Sequence, residues 1–260
     1  MNSLKRDLLF ALRQLRRSPG FAAAAILTLA VGIGANTAIF SVVNQALLRP
    51  LPYPEAQELR AVTPVLHAEG GAPDTLGFWS YPMYEAFRRT EHGFDALAAY
   101  TPNPRAYNLA GAESPQRVRV EMVSAGYFPL LGVGAAHGRT FLPEEDATPG
   151  AAPVAVLGHG LWERSYGSDP SVVGREISLN SIPFEVVGVL PRGFAGLSGE
   201  ADVWVPMMMA PALTFPRRLE GALSFWHYVI ARAPAGETEG VRESRLDASA
   251  RSVEEGLPLA

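Results

Sequence analysis

The chain of 260 residues contains no cysteine. That excludes disulfides, thiolate zinc sites and cysteine nucleophiles together, so a body outside the cytoplasm has to rely on its hydrophobic core. No Walker lysine motif is present, so ATP hydrolysis by that route is not supplied by this sequence. The five histidines, His67, His92, His137, His159 and His227, show neither HxH nor HExxH spacing. Ser80, Ser165 and Ser198 lie in no GxSxG elbow, and nothing marks a base for them. The pattern therefore points to no metal, no cofactor and no catalytic residues. Charge is missing too, over the 31 residues from Ser18 to Leu48.

That uncharged run comes after a leader in which Lys5, Arg6, Arg13, Arg16 and Arg17 are basic. A bilayer core about 30 Å thick is crossed by roughly 20 apolar residues, so residues 21–48 read as a transmembrane helix. A cleaved secretory signal is the rival, but signal cores hold about 7 to 15 apolar residues. Leu8, Ala11, Leu12 and Leu15 repeat at helical spacing with the basic residues around them, which makes 1–20 a basic amphipathic helix at the lipid surface. Basic residues stay inside, so the N-terminus is cytoplasmic and the chain beyond Arg49 is outside. Ala30, Gly34 and Ala38 form a small-residue face for packing against another helix. Residues 18–260 carry 17 basic and 25 acidic side chains, net −8, which argues against a nucleic-acid-binding surface.

Pro50, Pro52 and Pro54 alternate, so residues 49–58 read as an extended, stiff linker. Beyond it strand and helix signals mix without a regular βαβ period, which indicates an α+β body. Strands are expected near Leu59–Val65, Val154–Leu157, Ile177–Leu179, Phe184–Leu190 and Phe225–Ala231, with helices over Tyr81–Thr90 and Gly160–Tyr166. In Arg117–Val123 strict alternation places Val118, Val120 and Met122 on one face and Arg117, Arg119 and Glu121 on the other. Ser124–Leu131 reads as a short helix capped by Ser124, and Asn180–Ser181 as a hairpin turn. Trp162 and Tyr166 read as core anchors. Glu144, Glu145 and Asp146 read as a solvated loop rather than a cation site, and Gly132, Gly134 and Gly138 as a turn rather than a dinucleotide fingerprint.

The run ALRQLRRSPGFAAAAILTLAVGIGANTAIFSVVNQALLRPLPYP resembles the start of MacB-like permease subunits of ABC transporters. VSAGYFPLLGV, HGRTFLPEED, APVAVLGHGLWERSYGSDPSVVGREISLN, FEVVGVLP and DVWVP resemble the periplasmic core domain of that family, in order, over roughly residues 4–210. The resemblance implies a first transmembrane helix, a two-lobed mixed α/β periplasmic domain over 59–210 and three further transmembrane helices. It implies a homodimer or permease pair in the inner membrane, an ABC ATPase subunit as partner and a periplasmic adaptor. Such permeases couple ATP-driven closure inside to movement of the outer lobes, a mechanism termed mechanotransmission, in export or efflux. No second run is apolar enough to span, and residues 211–260 read as an incomplete return to the first lobe and then a disordered or out-of-frame tail. The chain thus reads as a truncated permease, with a single-pass membrane-anchored sensor or hydrolase as the alternative.

Overall fold

The computed structural model describes residues 17–43, 53–66, 74–111, 114–236 and 239–257, and the chain divides into two compact units, 1–52 and 53–260. In the first unit, helix α1 spans Pro19–Val43. Its proline sits at the first helical position, where no amide donor is needed, and 25 residues rise about 37 Å. Phe21, Ile26, Leu27, Leu29, Val31 and Ile33 are exposed along it. The Thr28 hydroxyl donates to Ala24 O at 2.9 Å, which satisfies it without an outside partner. The segment Pro19–Thr37 is the one helix among the described residues long and apolar enough to cross a membrane.

The second unit begins with strand β1 (Leu59–Val62), then β2 (Val65–Leu66) and β3 (Asp74–Thr75), which pair only with each other. β4 (Trp79–Ser80) leads into α2 (Tyr81–Arg88), whose N-terminus is capped by the Ser80 hydroxyl accepting from Met83 N. β5 (Ala96–Tyr100) lies antiparallel to β13 (Phe225–Arg232), and β1 flanks β13 on the other side. This three-stranded sheet carries α2 through buried Met83, Tyr84 and Phe87.

The remaining main strands close on themselves. β6 (Arg105–Ala110) pairs with β7 (Gln116–Val123), β7 with β12 (Val203–Pro206) and β12 with β9 (Val154–Leu157). β9 pairs with β11 (Ile182–Val189), β11 with β10 (Glu176–Leu179), and β10 returns to β6. The ring is a six-stranded barrel, and closure removes the free edges that an open sheet would expose. Tyr107, Leu109, Val118, Val120, Ile177, Leu179, Phe184 and Val186 fill its inside. On the outer face, α3 (Tyr127–Leu130) packs Tyr127 and Phe128 against Val156, Val187 and Trp204 in a second core. The barrel meets the three-stranded sheet where β5 touches β7 through one residue pair, Tyr100 opposite Val123. These are the two lobes, and beside that strand junction one buried cluster runs from Trp79, Met83 and Phe87 into the barrel core.

Most expected elements are present. The Asn180–Ser181 turn has positive φ at both residues, 49° and 69°, the two-residue hairpin geometry that matches strand twist. α4 (His159–Tyr166) buries Trp162, whose Nε1 donates to Asp169 O at 2.8 Å. A short β8 (His137–Gly138) pairs with β11, and α5 (Ala210–Leu213) comes directly after the 3-10 turn Met207–Met209.

Three expectations are corrected. The segment read as a disordered tail contains helix α6 (Glu239–Gly256), which packs against α2 and buries Val253 and Ser249; its polar composition hid this narrow contact. Ser124 does not cap α3, whose N-cap is Gly126; its hydroxyl accepts from Ala99 N at 2.9 Å and fastens β5 to the end of β7. The acidic run is only partly solvated: Glu144 is exposed, whereas Glu145 and Asp146 are engaged. Glu145 takes a two-pronged ion pair from Arg139 at 2.7 and 2.8 Å, which holds its carboxyl below the usual range against the pull of burial. Asp146 accepts from Ala125 N and Met208 N at 3.0 and 3.1 Å, and burial pushes it up to about 6.

Candidate functional site

The chain reaches the body through Tyr53–Glu58, and that segment is fastened from two sides. Arg232, at the end of β13, is the first fastening. Its guanidinium donates to Leu130 O from both Nε and Nη2, at 3.2 and 2.6 Å, and to Pro54 O at 3.3 Å. The same group pairs with Glu58 at 3.0 Å and Glu55 at 3.5 Å. One planar fork thus joins the last linker proline, a 3-10 turn over Ala56–Glu58, the C-terminus of α3 and a central strand. Lysine could not reproduce this, because an ammonium lacks the fixed fork. The α3 carbonyl at Leu130 is one of the orphan acceptors a helix leaves at its C-terminus, which explains why a cation belongs there.

The second fastening runs through Tyr53. Its hydroxyl donates to Gly196 O at 3.2 Å, and its ring meets Phe194 edge-on at 6.0 Å. Gly196 and Phe194 belong to the loop between β11 and β12, which is itself held down by a buried cluster. Glu121 is fully buried. It accepts from the Tyr127 hydroxyl at 2.9 Å and from the Ser198 hydroxyl at 2.7 Å. Leu197 N donates to the Tyr127 hydroxyl at 2.7 Å, which completes the relay. The Trp204 Nε1–H finds no acceptor in bonding geometry, yet it is near enough to favour the carboxylate. Burial outweighs these donors and pushes Glu121 up from 4.5 to about 7, since a low-dielectric site disfavours the charged form. At the loop's far end Arg119 pairs with Glu200 at 2.5 Å, and Asp202 takes Arg164 at 2.5 Å and Arg119 N at 3.0 Å.

The arrangement bonds the segment 53–58 to both lobes. Apart from the Trp204 N–H its buried donors and acceptors pair with one another, and among the described residues no His, Asp and Glu cluster of metal-binding size occurs. Replacing Arg232 with glutamine is expected to lower stability by about 2–4 kcal/mol, because it leaves Glu58 and the Leu130 carbonyl without their shared partner. Denaturant unfolding of the full chain in detergent measures this, and Arg232→Lys is expected to recover less than half of the loss.

Sequence reading did not find this site. Alternation in β7 put Glu121 on the polar face with Arg117 and Arg119, whereas the outer core and the β11–β12 loop cover it. Tyr53 beside the proline run was the one available signal, since an aromatic at a linker's end has apolar area to bury. Of the helix-packing residues, Ala30 and Gly34 are exposed on α1, with nothing within 4 Å of a Cβ placed at Gly34. Ala38 lies in the helix, with its side chain outside the described residues. Arg17 is exposed, and Lys5, Arg6, Arg13 and Arg16 lie outside the described residues, as do linker residues 49–52.

Comparison with known proteins agrees with this architecture. The macrolide export ATP-binding/permease protein MacB of Azoarcus sp. is 27% identical over 202 residues, and its Burkholderia thailandensis counterpart is 29% identical over 101. The matches cover 75% and 38% of this chain but only 30% and 15% of those relatives. Among solved structures, the periplasmic region of MacB from Actinobacillus actinomycetemcomitans superposes with a TM-score of 0.54 at 13% identity, covering 69% of this chain and 76% of that one. A domain of a putative permease from Porphyromonas gingivalis gives 0.56 at 14% identity, covering 77% and 83%. The extracellular domain of the noncanonic ABC-type transporter YknZ from Gram-positive bacteria gives 0.52 at 16%, covering 70% and 85%. These likenesses show a shared fold. The profile of the MacB-like periplasmic core domain matches residues 22–246, from the apolar helix through both lobes into α6, and the chain therefore belongs to the MacB-like periplasmic core domain family of ABC-type transporter permeases.

Proposed function

We propose that the chain is a membrane-embedded permease subunit in which a partner ABC ATPase inside the cell drives movement of the outer body for export across the inner membrane. The observation that carries this reading is the double fastening of Tyr53–Glu58. A segment leaving a membrane helix transmits displacement only if its far end is fixed, and here Arg232 and Tyr53 fix it to both lobes. In this reading Lys5, Arg6, Arg13, Arg16 and Arg17 hold the cytoplasmic leader on anionic lipid heads. Ala30, Gly34 and Ala38 pack against the helix of a second permease copy. The outer body meets a periplasmic adaptor.

The lack of native cysteine supplies the test, because Gly34→Cys introduces a single thiol into the chain. Oxidation of membranes containing this variant is expected to give a covalent dimer, and its yield is expected to change when the partner ATPase is trapped with ATP and vanadate. A monomer under all conditions, or a dimer yield indifferent to nucleotide, overturns the proposal.

A further inference from the structure

A cleft of about 170 Å3 lies where the barrel meets the three-stranded sheet. Its wall comes from the connection between β5 and β6 (Thr101, Asn103), from β6 and β7 (Arg105, Val120), from the stretch between α5 and β13 (Arg218) and from the start of β13 (Trp226). Among the described residues no carboxylate lines it. It rests on residues other than those of the fastening described above, although Val120 and Met122 flank Glu121 on β7 and Trp226 shares β13 with Arg232.

The chemistry of the wall is one-sided. Arg119, Arg139, Arg164 and Arg232 all hold carboxylates, whereas Arg105 and Arg218 take part in no ion pair among the described residues. Arg218 sits with Cζ 4.8 Å from the ring centroids of both Phe215 and Trp226. Ring faces attract the cation but offer no lone pair to its N–H groups, and the Arg218 Nε is buried without an acceptor. Trp226 is buried, and its Nε1–H likewise lacks one. A buried donor without a partner costs about 1–3 kcal/mol, so two at one cleft mark a place for an acceptor. Neither nearby hydroxyl accepts from these two groups: Thr214 donates to Ala210 O at 2.7 Å, Thr101 accepts from Met122 N at 2.9 Å, and Arg218 Nε and Trp226 Nε1 have no partner. Arg105 stands close enough to Arg218 that its charge, added to burial, lowers the pKa of Arg218. An anion between them relieves that repulsion.

The rest of the wall is apolar. Val120, Met122, Phe225 and the Trp226 ring face the cleft, and Phe215, 45% exposed, stands beside it. A cavity of about 150 Å3 admits benzene, so this one has room for a ring and a short acidic arm. We infer that the cleft at the lobe junction binds a small amphipathic carboxylate, its oxygens held by Arg105, Arg218 and the Trp226 N–H and its apolar part lying on Trp226 and Phe225. Guanidinium groups suit a carboxylate because the fork matches its two oxygens.

Phenylacetate is the probe, with neutral phenylacetamide and ring-less acetate as controls, titrated by calorimetry and tryptophan fluorescence into the full chain in detergent. A ligand of this size is expected to bind with a dissociation constant of about 0.1–1 mM, and each control about tenfold more weakly. Arg218→Gln and Arg105→Gln are each expected to weaken phenylacetate about tenfold and to remove most of the dependence on ionic strength. Arg105 is exposed on its strand, so the second variant keeps the fold when the first does not. Equal binding of phenylacetate and phenylacetamide overturns the inference, as does undiminished phenylacetate binding in Arg105→Gln, or no heat with wild type up to about 10 mM. Because the readout involves neither nucleotide nor a partner, its failure leaves the permease reading standing.

Discussion

Gly188→Ala is expected to cost at least 3 kcal/mol, more than most single methyl additions (about 1–3 kcal/mol for an overpacked core). The reason lies in how β11 is built. It carries an irregularity between Val186 and Gly188, so that Gly188 faces Val156 of β9 on one side and Gly138 of β8 on the other. A Cβ at Gly188 would overlap the carbonyl oxygen of Arg139, with the carbonyl carbon and amide nitrogen of that residue close behind. All three are backbone atoms, tied by the bond from Arg139 N to Val187 O at 2.9 Å, and none can rotate away. The partner residue is constrained as well, since Gly138 has φ 68° and a Cβ there would overlap Val187 O. Domain stability is typically about 5–15 kcal/mol, so a loss of this size removes a large share of it. Denaturant unfolding of the full chain measures the effect, and Gly134→Ala is the control, because nothing lies within 4 Å of a Cβ there. If Gly188→Ala unfolded within about 0.5 kcal/mol of wild type, the crossing of β8 over β11 would be wrong.

That crossing also shows where the sequence stops being informative. Local patterns were legible because their causes are local. Val118, Val120 and Met122 alternate since a strand has period two, and Asn180–Ser181 turns since asparagine tolerates positive φ. The barrel is different. Its closure depends on Leu179 of β10 meeting Leu109 of β6, 70 residues apart in the chain, and no short-range pattern specifies that pairing. The resemblance to MacB-like permeases supplied the two lobes where periodicity could not. Helix α6 was missed for a further reason: its sequence has no apolar stripe, and its place is set by α2 rather than by a moment of its own.

The functional residues were harder to see than the fold. Burial of an acid cannot be read from its own strand when the groups that satisfy it arrive from elsewhere. Glu121 takes donors from Tyr127 and Ser198, and Asp146 from Ala125 and Met208. Each is an apparently solvated residue until the loops that cover it are in place. Arg232 stood just beyond the expected strand Phe225–Ala231, at the start of the segment read as a tail, for its partners lie more than 100 residues upstream. The clamp is thus a product of topology, in which the two ends of the body's chain are brought side by side by β1 and β13.

Glu121→Gln is expected to raise stability by about 3 kcal/mol at pH 8 relative to wild type while leaving it nearly unchanged near pH 4. The sign comes from the direction of the shift. Burial raises this carboxyl from 4.5 to about 7 in the folded chain, so between those values the folded state keeps a proton that the unfolded state has released. Wild-type stability therefore falls as pH rises through that window, and the full penalty is present above about pH 7. Asp146, raised from 3.8 to about 6, acts in the same direction at lower pH. His227 acts oppositely, because burial and then Arg218 hold it down at about 3, so its contribution is lost as pH falls below 6.5. Glu145, held low by Arg139, also opposes. Only the difference between wild type and variant isolates Glu121. The glutamine keeps both contacts, since its oxygen accepts from Tyr127 and its amide donates to a reversed Ser198 hydroxyl. Unfolding midpoints from pH 4 to 8 are then expected to diverge steadily with rising pH, and parallel curves would show that the carboxyl is not titrating inside the fold. The same carboxylate accepts from Ser198 in the loop whose Gly196 carbonyl receives the Tyr53 hydroxyl, so the divergence between the two curves reports on the cluster beneath that contact.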